Sequence, residues 1–204
     1  MTRSVSIINV PKTHIYDYKI QLDNNDPKKI TGWIKLKNSN FNDEVSLKIP
    51  ELKIDETYYA DYRGIVEFEI KGNPVYWSTK NPKLYDVILS SNNNPINDQI
   101  GFRTIETKGT KILLNGEEIF LKGISIHEEA PFKTGRVTSK EEAQILLQWA
   151  IDLGSNFVRL AHYPHNEYMV REAEKMGLLI WSEIPVYWTV LFENADTIQM
   201  QKAN

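Results

Sequence analysis

Two short, nearly continuous apolar runs, 156–161 (NFVRLA) and 178–183 (LLIWSE), flank a stretch with helical spacing, and this alternation constrains the fold more than any other feature. Between them Met169, Val170, Ala173 and Met176 recur at helical intervals, and Gly177 stands where that helix has to stop. Another helix is expected upstream. It starts at Ser139, whose spacing to Glu142 fits a capping box, carries Ala143, Leu146, Leu147, Ala150 and Leu153 as its stripe, and ends at Gly154. Strands that are apolar throughout and alternate with helices belong to parallel βαβ units, whose sheet is covered on both faces.

Upstream of these units, "KILLNGEEIFLKG" signals a hairpin with Asn115-Gly116 at its turn. A strand over 118–126 and the loop "HEEAPFKTG" follow. Beyond the third strand, "NADTIQMQKAN" reads as a helix with neither a C-cap glycine nor a closing strand after it, so Asn204 is not expected to be a domain end.

Residues 1–105 are patterned differently. Short strands are expected at 4–10, 14–22, 30–38, 44–49, 65–71, 84–91 and 99–105, separated by turn chemistry such as "DNNDP", "KGNP" and "SSNNNP". In "GIVEFEIKG", Val66, Phe68 and Ile70 alternate with Ile65, Glu67 and Glu69. Seven such strands suggest an antiparallel sandwich of the immunoglobulin kind, with a barrel of the same strands as the alternative. The reading is therefore two domains, a β-sandwich over 1–105 and an α/β domain over 106–204.

Composition excludes several classes. Charge is nearly balanced, 24 basic against 27 acidic residues, with no basic stripe, which argues against a nucleic-acid partner. Cysteine is absent, removing disulfides, thiolate metal sites and a cysteine nucleophile. No apolar run approaches the ~18 residues of a membrane span, and "MTRSVSIINVPK" has no signal core. Compartment and oligomeric state stay open. The histidines of "HEEAP" and "HYPH" lack the helical spacing of a zinc site, so no metal is expected. There is no GxSxG elbow, GxGxxG or P-loop, and no cofactor is expected.

Polar residues gather where the expected strands end, the place where α/β sheets keep their sites. His127 and Glu128 follow the first strand; Arg159 lies near the end of the second, with His162, Tyr163, His165 and Asn166 in its loop; Glu183 ends the third, before Tyr187 and Trp188. If Val158 and Leu160 face the helices, Arg159 points the other way, and its permanent charge requires a carboxylate or a ligand. Glu183 is the nearest candidate, so Arg159 is either half of a structural ion pair or part of a site. The plainer readings of the others are a loop-capping His127, a His165 that merely neighbours a helix start, a solvated Glu128-Glu129 pair, and Trp33, Trp77 and Trp181 in cores. Aromatic and amide groups beside Arg and His would suit a sugar.

The combination "GFRTIE…LLNGEEIFLKG", "GISIHEE" and "NFVRLAHYPHNEYMVREAEKMGLLIWSE" resembles glycoside hydrolase family 2, the family of β-galactosidases, β-glucuronidases and β-mannosidases. The residues that carry it are Asn156, Arg159, His162, Tyr163, Pro164, Gly177 and Glu183, and "IPVYW" after Glu183 is most like the β-galactosidase type. Leu160, Ser125-Ile126 and Ser182 depart from the family's commonest pattern. The resemblance covers essentially the whole chain and implies an immunoglobulin-like middle domain, then about three βα units of a (β/α)₈ barrel. It implies that His162 contacts the sugar, that Arg159 orients the nucleophile, and that His127 and Glu183 shape the pocket, with Asn166 and Trp188 at its border. It also implies two catalytic glutamates at the ends of the fourth and seventh barrel strands. No residue of this chain matches them, so no catalytic residue is assigned and the chain alone is expected to be inactive. A full barrel takes roughly 250 residues, so the remainder of the barrel is the implied partner, with a β-linked sugar as substrate. The alternatives are a β-glucuronidase, a β-mannosidase or a non-catalytic carbohydrate-binding or assembly module.

Overall fold

The computed structural model describes residues 5–185 and 193–202. The chain divides into two compact units, one over Ser6–Ile119 and one from Phe120 onward.

The first unit contains β1 (His14–Leu22), β2 (Lys29–Lys37), β3 (Glu44–Ile49), β4 (Ile54–Tyr59), β5 (Ile65–Lys71), β6 (Tyr85–Ser91) and β7 (Asn94–Ile100). They form two separate sheets, ordered β1-β2-β5 and β4-β3-β6-β7, with every pairing antiparallel. This is the immunoglobulin-like sandwich. Alternation along each strand sends Ile30, Ile34, Val45, Leu47, Val66, Phe68, Val87 and Leu89 into one core.

Several strand expectations change. Residues 5–10 of the expected 4–10 strand are not in a sheet, and β4, not expected, is an edge strand with only Ile54 buried. The expected 99–105 strand is displaced to Asn94–Ile100, because Asn92 and Asn93 both adopt left-handed φ (51° and 57°) and close a two-residue hairpin within "SSNNNP". Pro95 is tolerated there because β7 is a sheet edge, where a missing N–H interrupts no second ladder. Trp77 is fully buried as expected, whereas Trp33 lies outside the core with Lys35 Nζ 4.0 Å over its ring.

A small meander, β8 (Ile105–Lys108), β9 (Lys111–Leu114) and β10 (Glu117–Glu118), completes this unit. The turn between β9 and β10 is Asn115-Gly116, both at positive φ as the sequence reading required. The Asn115 side chain donates to the Trp77 carbonyl (2.9 Å) and accepts from Thr104 N–H (3.0 Å), which ties the meander to the sandwich.

The second unit holds β11 (Gly123–Ile126), β12 (Phe157–Leu160) and β13 (Leu179–Ser182) in one parallel sheet, with α1 (Lys140–Asp152), α2 (Glu167–Lys175) and α3 (Ala195–Lys202). Among the described residues this is an opening portion of a barrel and not a closed one. Ser139 caps α1 by accepting from Glu142 N–H (3.3 Å), and Glu142 reaches back to Thr138 N–H (2.8 Å). Gly154 and Gly177, at φ 79° and 80°, end α1 and α2 in the same way. The next residue's N–H reaches back to Ala150 and Ala173 respectively, and the glycine's own N–H to Ile151 and Glu174. No described helix is long and apolar enough to cross a membrane.

The expected strand 118–126 is two elements with a break at 119–122. Asn156 explains the break: its Oδ1 accepts from Lys122 N–H (2.8 Å), its Nδ2 donates to the Phe120 carbonyl (3.0 Å), and its own N–H reaches the Lys122 carbonyl (2.9 Å). One amide thus satisfies backbone that a ladder would otherwise pair. Ile124, Val158, Ile180, Ile126 and Leu160 pack against Ala143, Leu146, Leu147, Ala150, Met169 and Ala173 of the helices. Leu153, expected in that stripe, is the α1 C-cap and is exposed. Burying Val158 and Leu160 fully stabilises the unit by about 1.5–3 kcal/mol each, and their parity leaves Ser125, Arg159 and Trp181, which share one register row, on the opposite face.

Candidate functional site

The parallel sheet delivers three polar groups to one end. Arg159 projects from β12 away from the helices, and Glu183 follows β13 directly. They meet as a two-pronged pair: Arg159 Nε donates to Glu183 Oε1 (2.6 Å) and Nη2 to Oε2 (3.2 Å). The guanidinium holds the Glu183 carboxyl below its ordinary range, and Glu183 in turn raises Arg159. His162, past the cis Ala161-His162 peptide, brings Nδ1 to 3.0 Å from Arg159 Nη2 and to 3.5 Å from Glu183 Oε2. Nδ1 therefore faces both members of the pair. The cluster is half-buried, with Arg159 and His162 open to solvent and Glu183 mostly covered.

His127, at the end of β11, packs edge-on against His162 (centroids 5.3 Å apart) and Tyr163 (6.3 Å). Its ring thus stands beside the Arg159–His162–Glu183 cluster. His165 is buried, stacked on Tyr163 (5.1 Å), and donates from Nε2 to the Ala161 carbonyl (2.9 Å). Asn166 is the α2 N-cap: Oδ1 accepts from Tyr168 N–H (3.0 Å), and Nδ2 donates to the Val137 carbonyl (3.4 Å). Tyr187 and Trp188 lie outside the described residues.

Two readings from sequence are corrected. Glu128 is not a solvated loop residue but has no exposed surface. Its Oε1 accepts from Asn166 N–H (2.5 Å), its Oε2 lies 3.7 Å from Arg136 Nη1, and its own N–H donates to the Tyr163 hydroxyl (3.2 Å). Arg136, which the sequence reading passed over, also lies 4.0 Å over the Tyr163 ring. The hint available was a glutamate directly after a strand with an arginine closing the same loop. Trp181 is the second correction: it is 60% exposed, not core, and shares a face with Arg159.

This arrangement offers directional donors, a fixed anionic acceptor and an aromatic surface for the apolar side of a ring. It does not offer a proton donor in Glu183, since that carboxyl is held ionised. Among the described residues, no three His, Cys, Asp or Glu side chains converge as a metal would need.

Comparison with known proteins gives the family. The family model "Glycosyl hydrolases family 2" matches residues 10–103, and "Glycosyl hydrolases family 2, TIM barrel domain" matches 105–203. The chain is 28% identical to a putative β-glucuronidase of Formosa agariphila, over 91% of this chain and 24% of that protein. It is 26% identical to a β-galactosidase of Thermoanaerobacterium thermosulfurigenes, over 78% of this chain and 24% of that protein. In fold it is similar to a β-glucuronidase of Parabacteroides merdae, with a TM-score of 0.72 at 23% identity, covering 94% of this chain and 26% of that one. The chain spans about a quarter of the length of each of these relatives. With one family's models matching both units in order, the chain belongs to glycoside hydrolase family 2.

Proposed function

We propose that these residues serve a retaining glycoside hydrolase acting on β-galactosides and that they supply one wall of its sugar pocket. The observation that carries this is the Arg159–His162–Glu183 cluster at the carboxyl ends of adjacent parallel strands, with exposed Trp181 on the same face. His162, through Nε2, and His127 would meet sugar hydroxyls; Trp181 and Trp188 would border the ring. Retaining hydrolysis needs one carboxyl to protonate the leaving oxygen and a second, about 5–5.5 Å away, to attack the anomeric carbon. In this reading neither role falls to Glu183, held ionised by Arg159, or to Glu128, sealed from solvent. Both belong to the remainder of the barrel.

A second sugar has a specific observation in its favour: relatives in both Formosa agariphila and Streptococcus agalactiae are named β-glucuronidases. A glucuronide would need a cationic partner for its carboxylate, and Arg159 already spends Nε and Nη2 on Glu183 and His162. The test is turnover of aryl β-galactoside, β-glucuronide and β-mannoside by the product of the open reading frame that contains these residues, beside the 204-residue chain. The galactoside is expected to be preferred by the former and nothing to be turned over by the latter. Preference for the glucuronide would replace the sugar, and inertness toward all three would remove the hydrolase reading.

A further inference from the structure

We infer that Glu128 is a positioning residue, whose buried carboxylate clamps the β12–α2 loop and thereby sets the His162 ring against Arg159 and Glu183. A carboxylate with no exposed surface is costly unless it is partnered, and Glu128 meets both that loop and the guanidinium of Arg136. Oε1 takes the N–H of Asn166, the residue that starts α2, where a negative charge also meets the positive end of the helix. Oε2 faces Arg136, and Arg136 lies over Tyr163, the residue next to His162. The Glu128 backbone N–H donates to the Tyr163 hydroxyl, so main chain and side chain of one residue hold both ends of 163–166.

The loop between β11 and α1 is shaped to allow this. Glu129 and Arg136 pair as an isolated antiparallel bridge, and Ala130 N–H reaches the Gly135 carbonyl (2.9 Å). This closed loop returns Arg136 to the side of Glu128 across eight residues of sequence. His127, immediately before Glu128, is the ring that packs edge-on against His162. The ring that contacts His162 and the carboxylate that fixes its loop therefore sit on adjacent residues. The positioning stands on this geometry alone; its consequence for turnover rests on the glycoside reading above.

The chain has four histidines, so two-dimensional proton–nitrogen spectra of the imidazole rings resolve each one. His14, bonded to the Pro11 carbonyl in the sandwich unit, is an internal reference that should not move. Glu172→Ala is the control for stability alone: Glu172 is buried between α1 and α2, paired with Gln144 (2.7 Å) and Lys175 (3.0 Å), away from the loop. Glu128→Ala is expected to shift or broaden the His162 and His127 ring signals with His14 unchanged. Glu128→Gln, which keeps an acceptor for Asn166 N–H, is expected to restore most of the His162 position, and Glu172→Ala is expected to lower the melting temperature without moving His162. If Glu128→Ala unfolds the unit, Glu128→Asp and Arg136→Gln carry the same reading through His162. Unchanged His162 signals in folded Glu128 variants, or equal displacement by Glu172→Ala, would overturn the positioning role. A displaced His162 in a full-length protein inert toward every glycoside would instead leave the positioning intact and remove the function.

Discussion

Asn166 is expected to act through its cap and not through a sugar, and the two roles separate in one experiment. Both ends of its amide are committed, Oδ1 to Tyr168 N–H and Nδ2 to the Val137 carbonyl, and its backbone N–H belongs to Glu128. Asn166→Ala removes the acceptor from the first turn of α2, which costs about 0.5–2 kcal/mol, centred near 1. For a unit of this size each kcal/mol moves the melting temperature by about 4–8 °C, so a drop of that order is expected. Asn166→Ser should recover most of it. Asn166→Asp is the informative variant. Asp ordinarily caps as well as Asn, but here a second carboxylate would sit beside Glu128 Oε1, 2.5 Å from the same residue's N–H. It should therefore fall below Ser. Every described α-helix lies in this unit, so melting followed by circular dichroism at the helical band is weighted toward it. An alanine variant that melts like the parent would refute the cap. An aspartate variant as stable as the parent would refute the crowding of two carboxyl groups at the helix start.

Glu183 gives a pH prediction. Its folded carboxyl titrates below the unfolded one, so its stabilisation is fully present above the unfolded value of about 4.3 and is lost as pH falls through the folded one. Urea unfolding between neutral pH and pH 3 should show that loss, and Arg159→Met should abolish it. Gly177→Ala forces a Cβ into left-handed backbone at φ 80°, a cost of about 1–2 kcal/mol, while Gly177→Asn should cost less; matched denaturation curves decide. Hydrogen exchange should find the sandwich strands better protected than β11–β13, which are four residues long with β11 and β13 as edges. Equal protection would contradict that.

The βαβ units were legible because their punctuation is local. Ser139, Gly154, Asn166 and Gly177 each act on backbone within a few residues, and the alternation of Val158 and Leu160 with Arg159 fixed the face. What escaped was set by distant partners. Nothing near Glu128 in sequence announces that Asn166 N–H, 38 residues on, will bury it. The break at 119–122 depends on one side chain, Asn156, more than thirty residues away. Trp181 looked like core because its run is apolar, yet a strand in this sheet has a face turned away from the helices, and Trp181 stands on it. The misplaced β7 was a local failure: Asn92-Asn93 reads as one long turn with its neighbours unless both residues are assigned left-handed backbone.

Arg159 has a consequence for folding that does not depend on any ligand. Side chains in a strand alternate faces, so a slip of β12 by one residue would exchange Val158 and Leu160 for Arg159. The guanidinium would then enter a core of Leu146, Leu147, Met169 and Ala173, where its charge could be neither neutralised nor paired. In the native register it instead meets Glu183 with two hydrogen bonds. The apolar runs of parallel strands specify register weakly, because both parities bury something acceptable. One arginine in the middle of the run removes that degeneracy. Glu183 then fixes the neighbouring strand by the same logic, since its two oxygens find the fork only when Arg159 and Trp181 share a row. A pair that aligns β12 with β13 while they fold is already in place, with His162 attached, at the end of the sheet where a ligand would bind.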